Sequence, residues 1–307
     1  MSQARAVVFA YHDVGVRCLK TLLSGGVAVP LVVTVADDPH ENRWYASVAD
    51  TARDYGLSVI TPPDAAGGEL LRQLGELAPD FLFSFYYRSL LPPPLLATAR
   101  RGALNMHGSL LPHYRGRAPV NWAILKGERE TGATLHYMVE RADAGEIVDQ
   151  LAVPILEDDD AREVFGKVTV AAEVILARSL PGLLEGRAPR RPQPLLPGAY
   201  FGRRRPEDGR IDWRHGAAEV HNLVRAVAPP FPGAFAEVNH ERYGIYRTRR
   251  TGERRPLPPQ LFADGSRCFL VCGDGGVLEL LAAADARGPV DLAALAARAA
   301  RAPLPLN

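Results

Sequence analysis

The sequence predicts an α/β protein: a parallel sheet covered by helices, followed by a smaller β-rich domain. Short apolar, β-branched runs recur through the first half of the chain, and stretches of helical period separate them. Strands spaced by helices in this way imply βαβ units with both faces of the sheet covered. Beyond a Pro- and Arg-rich stretch, short strands alternate with turn residues, the pattern of a small β domain or barrel.

The first apolar run is Ala6 to Phe9. It ends at Tyr11, His12, Asp13 and Gly15, after which Val16, Leu19, Leu22 and Leu23 recur at helical spacing. Further strands are expected at Val29–Val35, Leu57–Thr61 and Phe81–Phe85, with a helix over Leu70–Leu77 between the last two. Gly102–Met106 is another strand, and Gly108 and Pro112 stop it from continuing. Thr131–Met138 and Glu146–Ile155 alternate as strands do, and Ala161–Leu184 carries a long helical period.

This divides the chain into a first domain over residues 1–187, a linker over 188–204 and a β-rich domain over 205–307. In the last part a helix is expected near Ala217–Val227. Strands are expected at Phe235–Val238, Tyr243–Tyr246, Cys268–Cys272 and Val277–Leu281. A helix over Leu292–Ala302 should give way to a frayed tail at Pro303 and Pro305.

Bulk composition narrows the function. The 307 residues suit a large domain plus a small one. Lys and Arg total 36 against 35 for Asp and Glu, a formal charge of +1, so no global field attracts a polyanion and nucleic acid is not the expected partner. Local basic clusters at Arg203–Arg205 and at Arg249, Arg250, Arg254 and Arg255 are expected to be solvated loops. Cys18, Cys268 and Cys272 make neither a CxxC pair nor an even-numbered framework, which argues against disulfides and a zinc site and fits a reducing cytoplasm. No export leader and no membrane span are expected.

Asn105 and His107 alternate with Leu104 and Met106, so both side chains leave the strand on one side, at its carboxyl end. Alone, that pair would as readily satisfy loop backbone groups. The surrounding segments are more specific: Asn105-Met-His-Gly-Ser-Leu-Leu-Pro-His-Tyr-Arg-Gly-Arg-Ala-Pro-Val-Asn-Trp122, then Arg141-Ala-Asp-Ala-Gly-Glu-Ile147. Together they resemble the folate-dependent formyltransferases, whose pattern is Asn-x-His followed by Ser-Leu-Leu-Pro and, later, an Asp in a small-residue loop before Gly. Asn105, His107 and Asp143 match it without departure.

The resemblance implies a Rossmann-like catalytic domain and a small OB-like barrel. It implies 10-formyltetrahydrofolate as co-substrate and no metal. Asn105 or a protonated His107 would stabilise the oxyanion formed when an amine attacks the formyl carbon, and His107 would shuttle the proton, with its pKa raised by Asp143. The folate is placed near Ser89, Leu90, Leu91 and Arg117 and along Val139, Glu140, Arg141, Ala142 and Asp143.

Within the family the likeness is greatest to the branch that formylates UDP-4-amino-4-deoxy-L-arabinose for lipid A modification and polymyxin resistance. It is carried by Val7-Val-Phe-Ala-Tyr-His-Asp13, Phe83-Ser-Phe-Tyr-Tyr-Arg88, Phe201-Gly-Arg-Arg204, His221-Asn-Leu-Val-Arg-Ala-Val227 and Pro232-Gly-Ala-Phe235. It makes Arg203, Arg204 and Arg225 candidate contacts for the nucleotide sugar and leaves the preceding oxidation to a separate dehydrogenase. Ala228-Pro-Pro-Phe-Pro-Gly233 departs from the Asp-Pro-Trp-Pro-Gly usual in that branch, as does the Pro- and Arg-rich Ala188–Tyr200. The alternatives are methionyl-tRNA or another amine as acceptor, and a non-catalytic folate-binding module. A nicotinamide-dependent oxidoreductase finds no Gly-x-Gly-x-x-Gly after the first strand.

Overall fold

The computed structural model describes residues 3–36, 42–64, 67–194, 200–238 and 241–306; part of the Pro- and Arg-rich stretch, 195–199, lies outside them. The chain forms β1 (Arg5–Ala10), α1 (His12–Ser24), β2 (Ala28–Val33), α2 (Val48–Asp54), β3 (Val59–Ile60), α3 (Gly68–Leu77), β4 (Phe81–Phe85), α4 (Pro93–Leu96) and β5 (Gly102–His107). There follow β6 (Arg115–Gly116), α5 (Pro119–Leu125), β7 (Glu130–Tyr137), β8 (Ile147–Pro154), α6 (Ala161–Leu184), β9 (Tyr200–Phe201) and α7 (Ala217–Ala226). The last elements are β10 (Ala234–Val238), β11 (Glu241–Arg254), β12 (Gln260–Asp264), β13 (Arg267–Val271), β14 (Gly276–Asp285), β15 (Gly288–Pro289), α8 (Leu292–Ala299) and β16 (Leu304–Pro305).

Two compact units interleave in sequence: residues 1–119, 131–153 and 166–202 form the first, and 120–130, 154–165 and 203–307 the second. In the first, seven strands run in the order β3-β2-β1-β4-β5-β7-β8. β1 pairs in parallel with both β2 and β4, and β4 with β5. The parallel run ends there, because β7 is antiparallel to β5. Between His107 and Glu130 the chain holds the two-residue β6 and the short α5, and β7 returns beside β5 in the antiparallel sense.

Ala6 to Ala10 of β1 are all buried, the signature of a strand covered on both faces. On one face Val7, Phe9, Leu31, Val33 and Leu82 pack with Leu70 and Leu74, which lie one turn apart on α3. Burying a side chain of this size stabilises the fold by roughly 1.5–3 kcal/mol, so this cluster fixes the strand ends that carry the site.

In the second unit the order is β10-β11-β14-β13-β12-β16, with β15 against β14; each of these strand pairs is antiparallel. Two expectations are corrected here. Leu304–Pro305 is not a frayed tail but pairs with Gln260 and Leu261; this edge position tolerates a residue that cannot donate a ladder bond. β12, unforeseen, is its partner. The Arg249, Arg250 and Arg254 cluster lies on β11 and not in loops, and Glu279, opposite Arg249 in register, takes both Arg249 and Arg267.

Candidate functional site

The candidate centre is built at the carboxyl end of β5. Pairing with β7 sets Asn105 opposite His136 and His107 opposite Thr134. Residues directly opposite in an antiparallel pair share a face, so His136 joins Asn105 and His107. Asp143 arrives from the loop after β7, in a left-handed conformation with φ 53°.

His107 is buried, and its Nε2 lies 2.9 Å from the Tyr114 carbonyl oxygen. A carbonyl only accepts, so Nε2 carries the hydrogen, and the lone pair of the neutral ring is on Nδ1. Nδ1 faces Asp143 Oδ1 at 3.6 Å. His136 is fixed similarly: its Nδ1 donates to the Tyr137 carbonyl at 2.8 Å, leaving Nε2 to accept from Asn105 Nδ2 at 3.2 Å. The second Asn105 amide hydrogen points at Asp143 Oδ1 over 3.5 Å, the outer limit of a hydrogen bond.

Asp143 Oδ2 accepts the Gly116 N–H at 2.9 Å, the shortest contact of the carboxylate. Burial alone would push the Asp143 carboxyl up; the charge His107 gains when protonated, the charge and hydrogen bond His136 gains likewise, and the Gly116 N–H outweigh it and hold the group well below the usual carboxylate range. The carboxylate is therefore ionised at neutral pH. Gly116 has to be glycine: its φ is 99° and a Cβ there would meet the Phe201 carbonyl oxygen at 2.3 Å. Gln193 ties the same loop down, donating from Nε2 to the carbonyls of Asp143 and Gly145 at 3.0 and 2.7 Å.

The Ser-Leu-Leu-Pro segment is held from below. Thr134 Oγ1 donates to the Ser109 carbonyl at 2.6 Å and accepts from Leu111 N–H and Gln150 Nε2. Ser109 Oγ in turn donates to the His113 carbonyl at 2.6 Å. A buried loop thus has its backbone groups satisfied by side chains, as burial demands.

The residues expected to meet a folate are more open. Leu90 is 73% exposed and Val139 47%. Ser89, Arg117, Glu140 and Arg141 are exposed as well, Ala142 is half-buried, and Leu91 packs partly against the core cluster. Beside them is an apolar recess of about 390 Å³, lined among others by Leu96, Ala103, Met138 and Val139, which does not include the Asn105 group. Of the three arginines expected to meet a nucleotide, Arg203 is exposed, and Arg204 donates to the Asp208 carbonyl at 2.9 Å and lies 5.0 Å from the Trp122 ring centre. Arg225 is buried, bonded to Asn222 Oδ1 and to the carbonyls of Leu156 and Asp159, which is a structural commitment and not an open contact. His136 was not singled out from the sequence; its alternation with Thr134 on an apolar strand was the available signal.

A carboxylate, two histidines of fixed tautomer and an amide, gathered outside the strand ends of an α/β sheet, define a class of enzyme that moves a group with accompanying proton transfer. The chain belongs to the formyl transferase family: residues 5–180 match the model described as formyl transferase, and residues 204–297 match formyl transferase, C-terminal domain.

Among solved structures it is similar to the N-formyltransferase from Helicobacter canadensis in complex with folinic acid and dTDP-3-aminofucose. That likeness has 21% identity and a TM-score of 0.72 and covers 91% of this chain and 99% of that one. It is also similar to WlaRD, a sugar 3N-formyl transferase solved in the presence of dTDP and 5-N-formyl-THF, with 19% identity, a TM-score of 0.72 and coverage of 91% and 97%. Glycinamide ribonucleotide transformylase 1 from Symbiobacterium toebii, at 24% identity and a TM-score of 0.54, covers 63% of this chain and 95% of its own. Among the described residues no helix is long and apolar enough to cross a membrane, and no cluster of His, Cys, Asp and Glu is arranged to hold a metal ion.

Proposed function

We propose that the protein transfers the formyl group of 10-formyltetrahydrofolate to the primary amine of a nucleotide amino sugar, UDP-4-amino-4-deoxy-L-arabinose being the acceptor that the sequence resemblance favours. The observation that carries the reading is the pairing of His107 Nδ1 with Asp143 Oδ1 beside the Asn105 amide. The acceptor nitrogen attacks the formyl carbon, the carbonyl oxygen becomes an oxyanion, and the bond from carbon to folate N10 then breaks. The amine loses one proton and N10 gains one. His107 Nδ1 takes the first and returns it, and the ionised Asp143 balances the imidazolium in between. Asn105 gives a hydrogen to the oxyanion; its long contact to Asp143 is the one that costs least to exchange.

Support for the folate comes from the neighbouring solved complexes, which hold folinic acid and 5-N-formyl-THF, and from the apolar recess against Val139. In this role Leu90, Leu91 and the loop from Val139 to Asp143 receive the pterin, and Ser89 and Arg117 its polar parts. For the acceptor, the same two complexes contain dTDP or a dTDP-amino sugar. A charged tRNA is disfavoured because arginines of the second unit are paired: Arg249 and Arg267 with Glu279, Arg250 with Glu157, and Arg254 with Asp274. Arg203 and Arg204 are the proposed acceptor contacts left from the three arginines. A dehydrogenase is the proposed source of the oxidised precursor, and the cytoplasm the proposed compartment.

The test is a formyl-transfer assay with purified protein and 10-formyltetrahydrofolate against UDP-4-amino-4-deoxy-L-arabinose, dTDP-amino sugars, a hydroxyornithine-like amine and initiator methionyl-tRNA. Formylation of the tRNA with none of the nucleotide sugars would reassign the acceptor and leave the chemistry of Asn105, His107 and Asp143 in place.

A further inference from the structure

At the carboxyl ends of β1 and β4 the first unit gathers four rings and a guanidinium that the proton transfers above leave unused. His12, the first residue of α1, stacks on Tyr45 with ring centres 3.9 Å apart and planes 29° from parallel. It meets Trp44 edge-on at 4.6 Å. Tyr11 packs edge-on against Tyr45 at 5.2 Å, and the two phenolic oxygens are hydrogen-bonded. The Arg88 guanidinium lies 4.4 Å from the centre of the Tyr11 ring. Asp13 Oδ1 accepts the Ala46 N–H at 2.9 Å, tying the loop that carries Trp44 and Tyr45 to the first turn of α1.

Three features set this cluster apart from ordinary core packing. First, strand order reverses here: β2 and β3 lie on one side of β1 and β4 on the other. Such a reversal opens a crevice outside the strand ends, where open α/β sheets bind ligands. Second, Tyr11 is buried, but Trp44 and Tyr45 keep part of their surface in water and Arg88 is exposed. Third, His12 is held at φ 65°, a left-handed conformation that costs of order 1–3 kcal/mol in a residue other than glycine and that recurs at ligand clamps. Burial, with the Arg88 charge second, pushes the His12 imidazole down to about 3, so it is a neutral flat ring at neutral pH.

We infer that this cluster seats the pyrimidine base of the acceptor nucleotide, with Trp44 and Tyr45 giving ring faces and Arg88 a positive charge beside the diphosphate. The inference rests on the proposal that the acceptor is a nucleotide amino sugar. Its geometry agrees with the reaction centre: only β4 separates β1 from β5, so the two sites lie two strand spacings apart, roughly 10 Å. A ribose and a diphosphate span a gap of that order, which leaves the sugar amine at His107 while the base rests on the rings. Flat aromatic faces suit this task because a base stacks through its whole π-face, whichever edge it presents.

The experiment uses the full chain with UDP and dTDP as binding probes and the nucleotide amino sugar, with 10-formyltetrahydrofolate, as kinetic substrate. Trp44, Trp122 and Trp213 are its three tryptophans. UDP or dTDP is expected to quench wild-type tryptophan fluorescence, and the quenching should vanish in Trp44→Phe. Trp44→Leu should raise KM for the nucleotide sugar by roughly ten- to hundredfold, the size expected for a lost base stack, and Trp44→Phe, which keeps a ring, by much less. Should Trp44→Leu fail to fold, the fluorescence comparison with Trp44→Phe decides alone. Formylation of the nucleotide sugar with KM within twofold of wild type in both Trp44→Leu and Tyr45→Leu overturns the platform and spares the acceptor proposal. Formylation of a different amine, with neither UDP nor dTDP bound, overturns the acceptor proposal and the platform with it.

Discussion

His107 is held by both edges of its ring: Nε2 is 2.9 Å from the Tyr114 carbonyl and Nδ1 is 3.6 Å from Asp143 Oδ1. The first contact fixes the tautomer, and the second sets Nδ1, the atom proposed to exchange a proton, against the carboxylate. Asp143→Asn keeps the size of the side chain and removes the charge that balances an imidazolium. Turnover should fall by on the order of a hundredfold or more, with folate affinity nearly unchanged.

The same carboxylate makes a prediction about stability. Its pKa in the folded protein lies below the unfolded value of about 4. A group depressed in this way stabilises the fold above the unfolded pKa and loses that contribution as pH falls toward the folded one. In urea titrations, the stability gap between wild type and Asp143→Asn should therefore be constant from pH 7 to about 5 and shrink below about pH 4. A gap that stays flat down to pH 3 would show that Asp143 is not the low-pKa group.

His136 Nε2 lies 3.2 Å from Asn105 Nδ2, and we expect it to position that amide and not to carry the proton. In His136→Phe the Asn105 amide loses its acceptor and is free to turn, so kcat should drop on the order of tenfold, less than for Asn105→Ala. His136→Gln, which offers an acceptor oxygen, should recover part of the loss. Equal kcat in the Phe and Gln variants would mean that His136 only fills space.

How much of this was legible depends on the range over which it is determined. The side on which Asn105 and His107 emerge follows from strand alternation, a local property, and Asp143 followed from the motif around it. His136 did not, because its place beside Asn105 is set by the antiparallel register of β7 against β5. Nothing in Thr131–Met138 states that register. β11 was read as short for a related reason: its outward arginines look like loop residues until Glu279 is placed opposite. In Leu304–Pro305 the prolines outweighed the strand signal, although an edge tolerates them.

Arg225 illustrates the converse, a residue that motif likeness marked as functional and packing claims. Its guanidinium satisfies Asn222 Oδ1 and the carbonyls of Leu156 and Asp159. Removing it strands buried acceptors, at a cost of roughly 1–3 kcal/mol. Arg225→Ala should lower Tm by several degrees and leave KM for the nucleotide sugar within about twofold in the folded protein. A tenfold rise in that KM with Tm unchanged would return Arg225 to the acceptor.

The donor side yields the last prediction. Leu90 is 73% exposed, so it contributes little to the core and its loss should not unfold the protein. If a pterin covers it, the apolar surface removed from water on binding is worth roughly 1–2 kcal/mol, or five- to thirtyfold in affinity. Leu90→Ala should then raise KM for 10-formyltetrahydrofolate several-fold, with KM for the amine and Tm close to wild type. Arg117, also exposed, should act on the same substrate: Arg117→Ala should raise KM for the formyl donor more than that for the acceptor. The two together separate the donor site from the acceptor site. If Leu90→Ala affects the donor and Arg117→Ala affects the amine, the pterin assignment stands and Arg117 moves to the acceptor. If neither variant changes KM for the donor, the folate does not lie along this edge of the sheet.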